Sequence, residues 1–382
     1  MTQKITYQAA RAVAPTIEDH FARHLAAARL RGEQALAPAP HTPAIEAIID
    51  VAFWASLLRE EGRSPKISLA YLPPDRAEQA MQFERSLRLT PGVLTKLAPA
   101  VERPGVHLCV WPEDDALYVW GATRDIPGLC FVLEVVEPGL LVVKHRRISG
   151  YGKFANVAVL RGEQVKVVDG NSSTHTDSSD LLTSMLGFTT ASASSRDYAA
   201  NVLIQLAVSM RDHGRGGTLL IVPAETESWH QSIIHPIPYA VEPPFSGLKE
   251  LVERSEQEWN QSQWQGDLQR AVDSVAGLTA VDGATIISDQ YELMAFGAKI
   301  GRPEGNAPVA QIVTTEPIAG GRASIIHPAQ SGGTRHLSAA QFVHDQHDAL
   351  ALVASQDGRF TVFSWSPLQE MVHAHRIDTL LL

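Results

Sequence analysis

Residues 282–296, DGATIISDQYELMAF, open with an acid and two small residues, run through Thr285-Ile286-Ile287-Ser288, and return from Tyr291 after the polar pair Asp289-Gln290. Two β-rich runs joined by two turn-forming residues predict a hairpin, Gly283 to Ser288 against Tyr291 to Phe296. Reading onward, a strand is expected over Val309 to Thr314, then the Gly-rich loop Ser331-Gly332-Gly333-Thr334-Arg335-His336, a helix from Ser338 to about His344, and a strand over Ala349 to Ala354. A turn at Asp357-Gly358, a strand over Phe360 to Trp365 and a final helix complete the order. Strands interleaved with helices in this way predict an α/β (α+β) domain over 271–382, a mixed β-sheet flanked by helices.

Upstream, the run from Lys249 to about Val275 has helical periodicity and leads into this domain, with the boundary placed near Arg270. Tyr198 to Arg211 reads as a helix and Thr218 to Val222 as a strand, after a polar Ser- and Thr-rich stretch from Asn171 to Ser195 that reads as a loop. Between Val106 and Val168, short runs of Val, Leu, Tyr and Trp separated by turn residues predict a largely antiparallel sheet. Ala44 to about Arg63 is an amphipathic helix in which Phe53, Trp54 and Leu58 are expected in the core. Ile5 to Leu36 is a first helix that stops at Ala37-Pro38-Ala39-Pro40, a breaker read as a linker. The expected organisation is therefore 1–40, helix and linker; 41–270, an α+β region; and 271–382, the last domain.

The chain has 382 residues, 45% of them hydrophobic, enough for more than one core. Its formal charge of −10 argues against a surface for nucleic acid or anionic membranes, which needs clustered Lys and Arg. The most apolar stretch, Ile126 to Val143, is interrupted by Glu134 and Glu137, and the N-terminus lacks the apolar core of a signal peptide. Cys109 and Cys130 have neither the number of a disulfide framework nor the spacing of a zinc site, and read as buried small hydrophobes. The expectation is a cytoplasmic protein.

Chemistry is expected in the last domain. Asp282 begins a strand, and Gly283 and Ala284 behind it leave the backbone open to a flat ligand or a ribose. The loop ending in Gly333, Thr334, Arg335 and His336 precedes a helix, so amides and a forked cation can face an anion. From residue 271 onward there are six Lys or Arg against eleven Asp or Glu, so basic side chains alone cannot hold a triphosphate. A divalent metal is expected to help, and Asp282 and Asp357 are hard oxygen donors suited to Mg²⁺ or Mn²⁺. The run His213 to Thr218 looks like a phosphate loop but has the reverse order, helix to strand, and reads as a structural turn. His344 with His347 reads as a solvated helix end, while Lys299 and Arg302 are equally compatible with phosphate contact and with a plain surface.

The strings DGA (282–284), FGAKI (296–300), GTRH (333–336) followed by SAA (338–340), and DALALVASQDG (348–358) together resemble the DisA-type diadenylate cyclase domain. That family carries a DGA motif, a GTRHR motif and a later SEE-like turn; here Leu337 stands at the second Arg and the turn reads Ser355-Gln356-Asp357. The region before it is similar to a probable sensor domain, DACNV, through SLLREEGR (56–63), KLAPA (96–100) and HGRGGTLLIVP (213–223). The resemblance implies condensation of two ATP into cyclic di-AMP with loss of two pyrophosphates, in a homo-oligomer whose cyclase domains face each other. It implies that Asp282 binds the metal and helps activate the ribose 3′-hydroxyl. Gly283 and Ala284 would line the ribose, Gly333, Thr334, Arg335 and His336 would hold phosphates, and Asp357 would replace a metal-site Glu. The N-terminal region would sense a signal ligand or partner and regulate the cyclase. Two alternatives stay open: a nucleotide-binding sensor of the same fold with altered or no catalysis, and a cyclase for another nucleotide.

Overall fold

The computed structural model describes residues 5–103, 105–148, 154–169, 195–254 and 262–382. The chain forms two compact units, Met1–Asp169 with Leu382, and Gly170–Leu381. Both are mixed α/β, as expected from the alternation of elements.

In the first unit, helices α1 (Gln8–Leu30), α2 (Thr42–Ser56) and α3 (Pro91–Val101) accompany one eight-stranded sheet. Its strands are β1 (Ile67–Tyr71), β2 (Met81–Arg88), β3 (His107–Glu113), β4 (Ala116–Thr123), β5 (Phe131–Glu137), β6 (Leu140–Arg146), β7 (Phe154–Arg161) and β8 (Gln164–Val167). The order is β2-β4-β3-β1-β5-β6-β7-β8; only β1 with β3 is parallel. Ile17 and Phe21 of α1 and Ile45, Ile48 and Ile49 of α2 bury against Leu69, Phe131 and Leu133 of the sheet. The buried carboxylate of Asp50 accepts from the backbone N–H of Thr6 (2.8 Å) and Tyr7 (2.7 Å), which satisfies amides that the start of α1 leaves without helical partners.

Two expectations change here. The residues read as a linker are tied in: Ala37 is buried and its N–H donates to the Gly128 carbonyl at 2.9 Å, so residues 1–40 are part of the first unit and not a separate arm. Phe53 does pack, stacking on Tyr7 at 3.8 Å, but Trp54 and Leu58 are exposed, because α2 ends at Ser56 and Leu58 lies beyond its apolar face. Cys109 and Cys130 are buried thiols, and burial pushes Cys109 up to about 12.

The second unit contains α4 (Ser195–Asp212), α5 (Gly247–Val252), α6 (Ser262–Leu278), α7 (Pro328–Ser331) and α8 (Thr334–Asp345). Its strands are β9 (Gly217–Val222), β10 (Tyr239–Phe245), β11 (Ala284–Ser288), β12 (Leu293–Ala298), β13 (Ile312–Thr315), β14 (Ser324–Ile326), β15 (Leu350–Ala354), β16 (Phe360–Ser366) and β17 (Met371–Arg376). They form one sheet in the order β10-β12-β11-β9-β15-β16-β17-β13-β14. Strand β9 is buried along its whole length, the pattern of a strand covered on both faces. Alternation assigns Leu219 and Ile221 to the core under α4 and α6, and Leu220 and Val222 to the core under α8.

The hairpin predicted over 282–296 is β11 with β12, paired antiparallel. The boundary expected near Arg270 does not appear in the architecture, since β9 and β10 pair with β11 and β12 and the unit begins at Gly170. The helical run from Lys249 is seen as α5 and α6, and the loop read over Asn171 to Ser195 lies almost wholly outside the described residues. The expected final helix is instead strand β17 followed by a 3₁₀ turn, Asp378–Leu380. β17 lies between β16 and β13, with Val372, His373, Ala374 and His375 all buried, so a strand covered on both faces lost the polar alternation that would have marked it.

Candidate functional site

The expected site residues gather at the ends of neighbouring interior strands of the nine-stranded sheet. Continuing the observed registers, Ala284 with Thr218 and Ala354 with Gly217, sets Asp282, Gly216 and Ser355 side by side across the ends of β11, β9 and β15. With strands spaced by about 4.8 Å, the backbones at Asp282 and Ser355 are roughly 10 Å apart.

Gly283 has φ +119°, and a Cβ there would lie 2.5 Å from the backbone carbon of Gly297, so only glycine allows β11 and β12 to meet at this point. Asp282, next to it, is held out in solvent, its side chain 90% exposed. Lys299, just beyond β12, reaches its Oδ2 at 2.5 Å. That hydrogen bond and charge, with a smaller contribution from Arg335, hold the Asp282 carboxyl below the usual range. On the outer side, Tyr239 of β10 lies over Gly297 and stacks on Phe296 at 4.7 Å. This leaves a half-exposed aromatic face beside the Gly283 backbone.

The second part is a cleft of about 540 Å³ lined by Ala329, Gly332 to His336, Ser355 to Asp357, and Arg359. Helix α8 starts at Thr334 rather than Ser338, with Gly333 as its N-cap and no side chain capping it. Thr334 and Arg335 therefore sit in the first turn, where unpartnered amides and the helix dipole favour an anion. Arg335 is exposed, and its Nη1 lies 3.0 Å from where a Cβ on Gly216 would stand. Gln356 donates through Nε2 to the Arg215 carbonyl at 3.3 Å, so the turn before β9 is tied to the turn after β15.

His336 takes a different position from the one expected. Its ring is 2% exposed, meets Thr361 Oγ1 through Nε2 at 3.3 Å, and sits edge-on to Phe363. Burial pushes it down to about 4, so it is neutral at pH 7 and positions α8 instead of carrying charge to a phosphate. Gly332 makes room for it, since a Cβ there would lie 2.4 Å from His336 Nδ1.

Asp357 accepts from Ser355 Oγ and pairs with Arg359 Nε at 3.2 Å; the Ser355 bond, then Arg359, lower its carboxyl. Each acid is paired with a neighbouring cation, Asp282 with Lys299 and Asp357 with Arg359, and both are exposed oxygen donors of the kind that share Mg²⁺ or Mn²⁺ with substrate phosphates.

Of the residues expected from sequence, Gly333, Thr334, Arg335, His336 and Asp357 line the cleft, and Asp282 and Gly283 stand at the neighbouring strand end. Arg359 and Tyr239 were not singled out, and Lys299 was left undecided; β-pairing across long separations brings them in. Of the remaining histidines, His347 stacks on Trp365 at 3.7 Å and His344 lies 3.4 Å from Asp345, so they serve local packing.

A family model described as "probable sensor domain DACNV" matches residues 34–124, which lie within the first unit and hold two of the three strings that carried that resemblance. The third, 213–223, contains β9 and belongs to the second unit. No curated protein matches the chain. Among the described residues no helix is long and apolar enough to cross a membrane.

Proposed function

We propose that the second unit is a diadenylate cyclase that joins two ATP into cyclic di-AMP and two pyrophosphates under control of the probable sensor domain. The observation that carries this reading is the convergence of Arg335, Arg359 and the uncapped start of α8 in one cleft. Asp282 stands at the neighbouring strand end, within the field of Arg335. One ATP per protomer would place its phosphates against α8 and its ribose over Gly283 and Ala284, with Tyr239 offering its ring to the base. Asp282 would accept the proton of the 3′-hydroxyl as that oxygen attacks the α-phosphorus of the ATP held by the facing protomer. Pyrophosphate leaves, and the same step in the other direction closes the ring. Mg²⁺ or Mn²⁺ at Asp282 would neutralise triphosphate charge. Arg359 would supply the cation absent at Leu337, and positioning with charge neutralisation would provide most of the acceleration.

The second reading, a nucleotide-binding module without turnover, draws on the ion pair that already occupies Asp282 and on the aliphatic, partly exposed Leu337. Incubating the full chain with ATP and Mn²⁺ or Mg²⁺ and weighing the product decides between them. The proposal requires a cyclic dinucleotide that disappears in Asp282→Asn. ATP binding with no product under either metal supports the module instead, and a product of different mass points to another nucleotide.

A further inference from the structure

The first unit holds a histidine cluster unrelated to the cleft. His20 and His24 lie one turn apart on α1, and His145 comes from β6, 121 residues from His24. One ring nitrogen from each lies within 4.8 Å of the others, and among the described residues this is the one group of three potential metal ligands so placed. The His20 and His24 rings stack at 4.0 Å, with His145 at 5.5 and 5.6 Å from them.

Hydrogen bonds fix the tautomers of His24 and His145. His24 Nδ1 donates to the His20 carbonyl at 2.7 Å and His145 Nδ1 to the Arg146 carbonyl at 3.2 Å, leaving the Nε2 lone pair of each ring free. His20 Nε2 is buried with no hydrogen-bond partner, a costly arrangement unless something else engages it. Backbone carbonyls holding the Nδ1 of His24 and of His145 are the outer shell that metal-binding histidines use.

Burial first, then the neighbouring histidines and arginines, disfavours the imidazolium form of His20 and His145. Phe21 forms an apolar wall, edge-on to His145 at 6.1 Å, while His24 is exposed and opens a path from solvent.

The geometry points to a three-histidine site for a borderline divalent transition metal, Zn²⁺ in the first place, that fastens α1 to β6. Three imidazoles without a carboxylate suit Zn²⁺ and its neighbours and do not suit Mg²⁺ or Ca²⁺. A tetrahedral ion at about 2.0–2.1 Å from each nitrogen brings ligand pairs to roughly 3.4 Å, a distance that small side-chain rotations reach, and leaves a fourth position for water. All three histidines fall outside residues 34–124, so the match to the probable sensor domain neither contains nor implies this site.

The test uses the full chain without an affinity tag, freed of metal by chelation and titrated with Co²⁺. The site predicts one equivalent of Co²⁺ giving the visible absorption of a four-coordinate ion, displaced by one equivalent of Zn²⁺ and untouched by excess Mg²⁺. His24→Ala alters an exposed side chain and should leave folding intact while weakening binding by more than the roughly 10–100-fold that loss of an outer-shell partner costs. His145→Asn should do the same, with circular dichroism reporting whether this buried position still folds. Absence of the four-coordinate spectrum, or binding of unchanged affinity in folded His24→Ala, overturns the assignment. Metal binding is read directly, so the outcome does not depend on whether the second unit turns over ATP.

Discussion

The guanidinium of Arg335 lies against Gly216, its Nη1 3.0 Å from where a Cβ on that glycine would stand, although 119 residues separate the two. Gly216 also has φ +70° and faces the Ala354 carbonyl, 3.2 Å from the same point. Gly216→Ala should therefore act twice. The left-handed backbone destabilises the unit by about 1–2 kcal/mol, and the new methyl pushes Arg335 out of place. We expect a lower thermal midpoint and several-fold weaker binding of ATP by calorimetry. A variant that keeps wild-type ATP affinity would show that Arg335 does not take part in holding phosphate.

The Asp282–Lys299 pair predicts a pH effect. Lys299 keeps the carboxyl below its ordinary range, so Asp282 stays ionised and able to accept a proton until the solution is more acidic than a free carboxylate requires. Lys299→Met removes the hydrogen bond and the charge, so the Asp282 pKa rises. The acidic limb of cyclase activity should then move to higher pH. Both residues are exposed, so the thermal midpoint should scarcely change. An unmoved acidic limb in Lys299→Met would remove Asp282 as the proton acceptor.

How much of this site could be read beforehand depends on how far each residue lies from its partners in the chain. The hairpin from Gly283 and the Thr334 to His336 string announce themselves because strand, turn and helix start are local patterns. Arg359 carries no local mark. Gly216 lies in the run His213 to Thr218, which looks like a phosphate loop but has the reverse order, helix to strand, and it comes to lie beside Arg335 only because β9 is inserted between β11 and β15. The burial of His336 is likewise not a local pattern: Arg335 and Leu337 beside it are exposed, but the first turn of α8 aims it inward at Thr361 and Phe363. The three-histidine cluster escaped because His145 reaches α1 only through the packing of β6.

Burial of His336 has a measurable cost in acid. Its folded pKa, about 4, lies below the unfolded value near 6.5, so between these pH values the unfolded chain binds a proton that the folded chain refuses. Stability is therefore undiminished above about pH 6.5 and falls as pH drops toward 4, by up to ~3 kcal/mol from this ring. His336→Asn should flatten the decline in unfolding free energy, measured by urea denaturation between pH 7 and 4.5, whatever its effect on absolute stability. An equally steep decline would mean that the ring titrates freely and is not held as found.

Arg359 is the sharpest test of how the cleft handles charge. It lines the cleft opposite the start of α8 and pairs with Asp357, while Leu337, one residue beyond His336, is partly exposed and can contribute no cation. If Arg359 has taken over charge stabilisation, Arg359→Ala should lower turnover at saturating ATP by about 10²–10³-fold, with little change in thermal midpoint because the ion pair is exposed. Adding Leu337→Arg to that variant should restore part of the rate, since it returns a guanidinium to the helix that carries Arg335. A wild-type rate in Arg359→Ala would assign the transition-state charge to Arg335 and the helix terminus alone. A rate raised above wild type by Leu337→Arg, with no loss from Arg359→Ala, would mean that the cation supplied at position 337 is an addition and not a replacement.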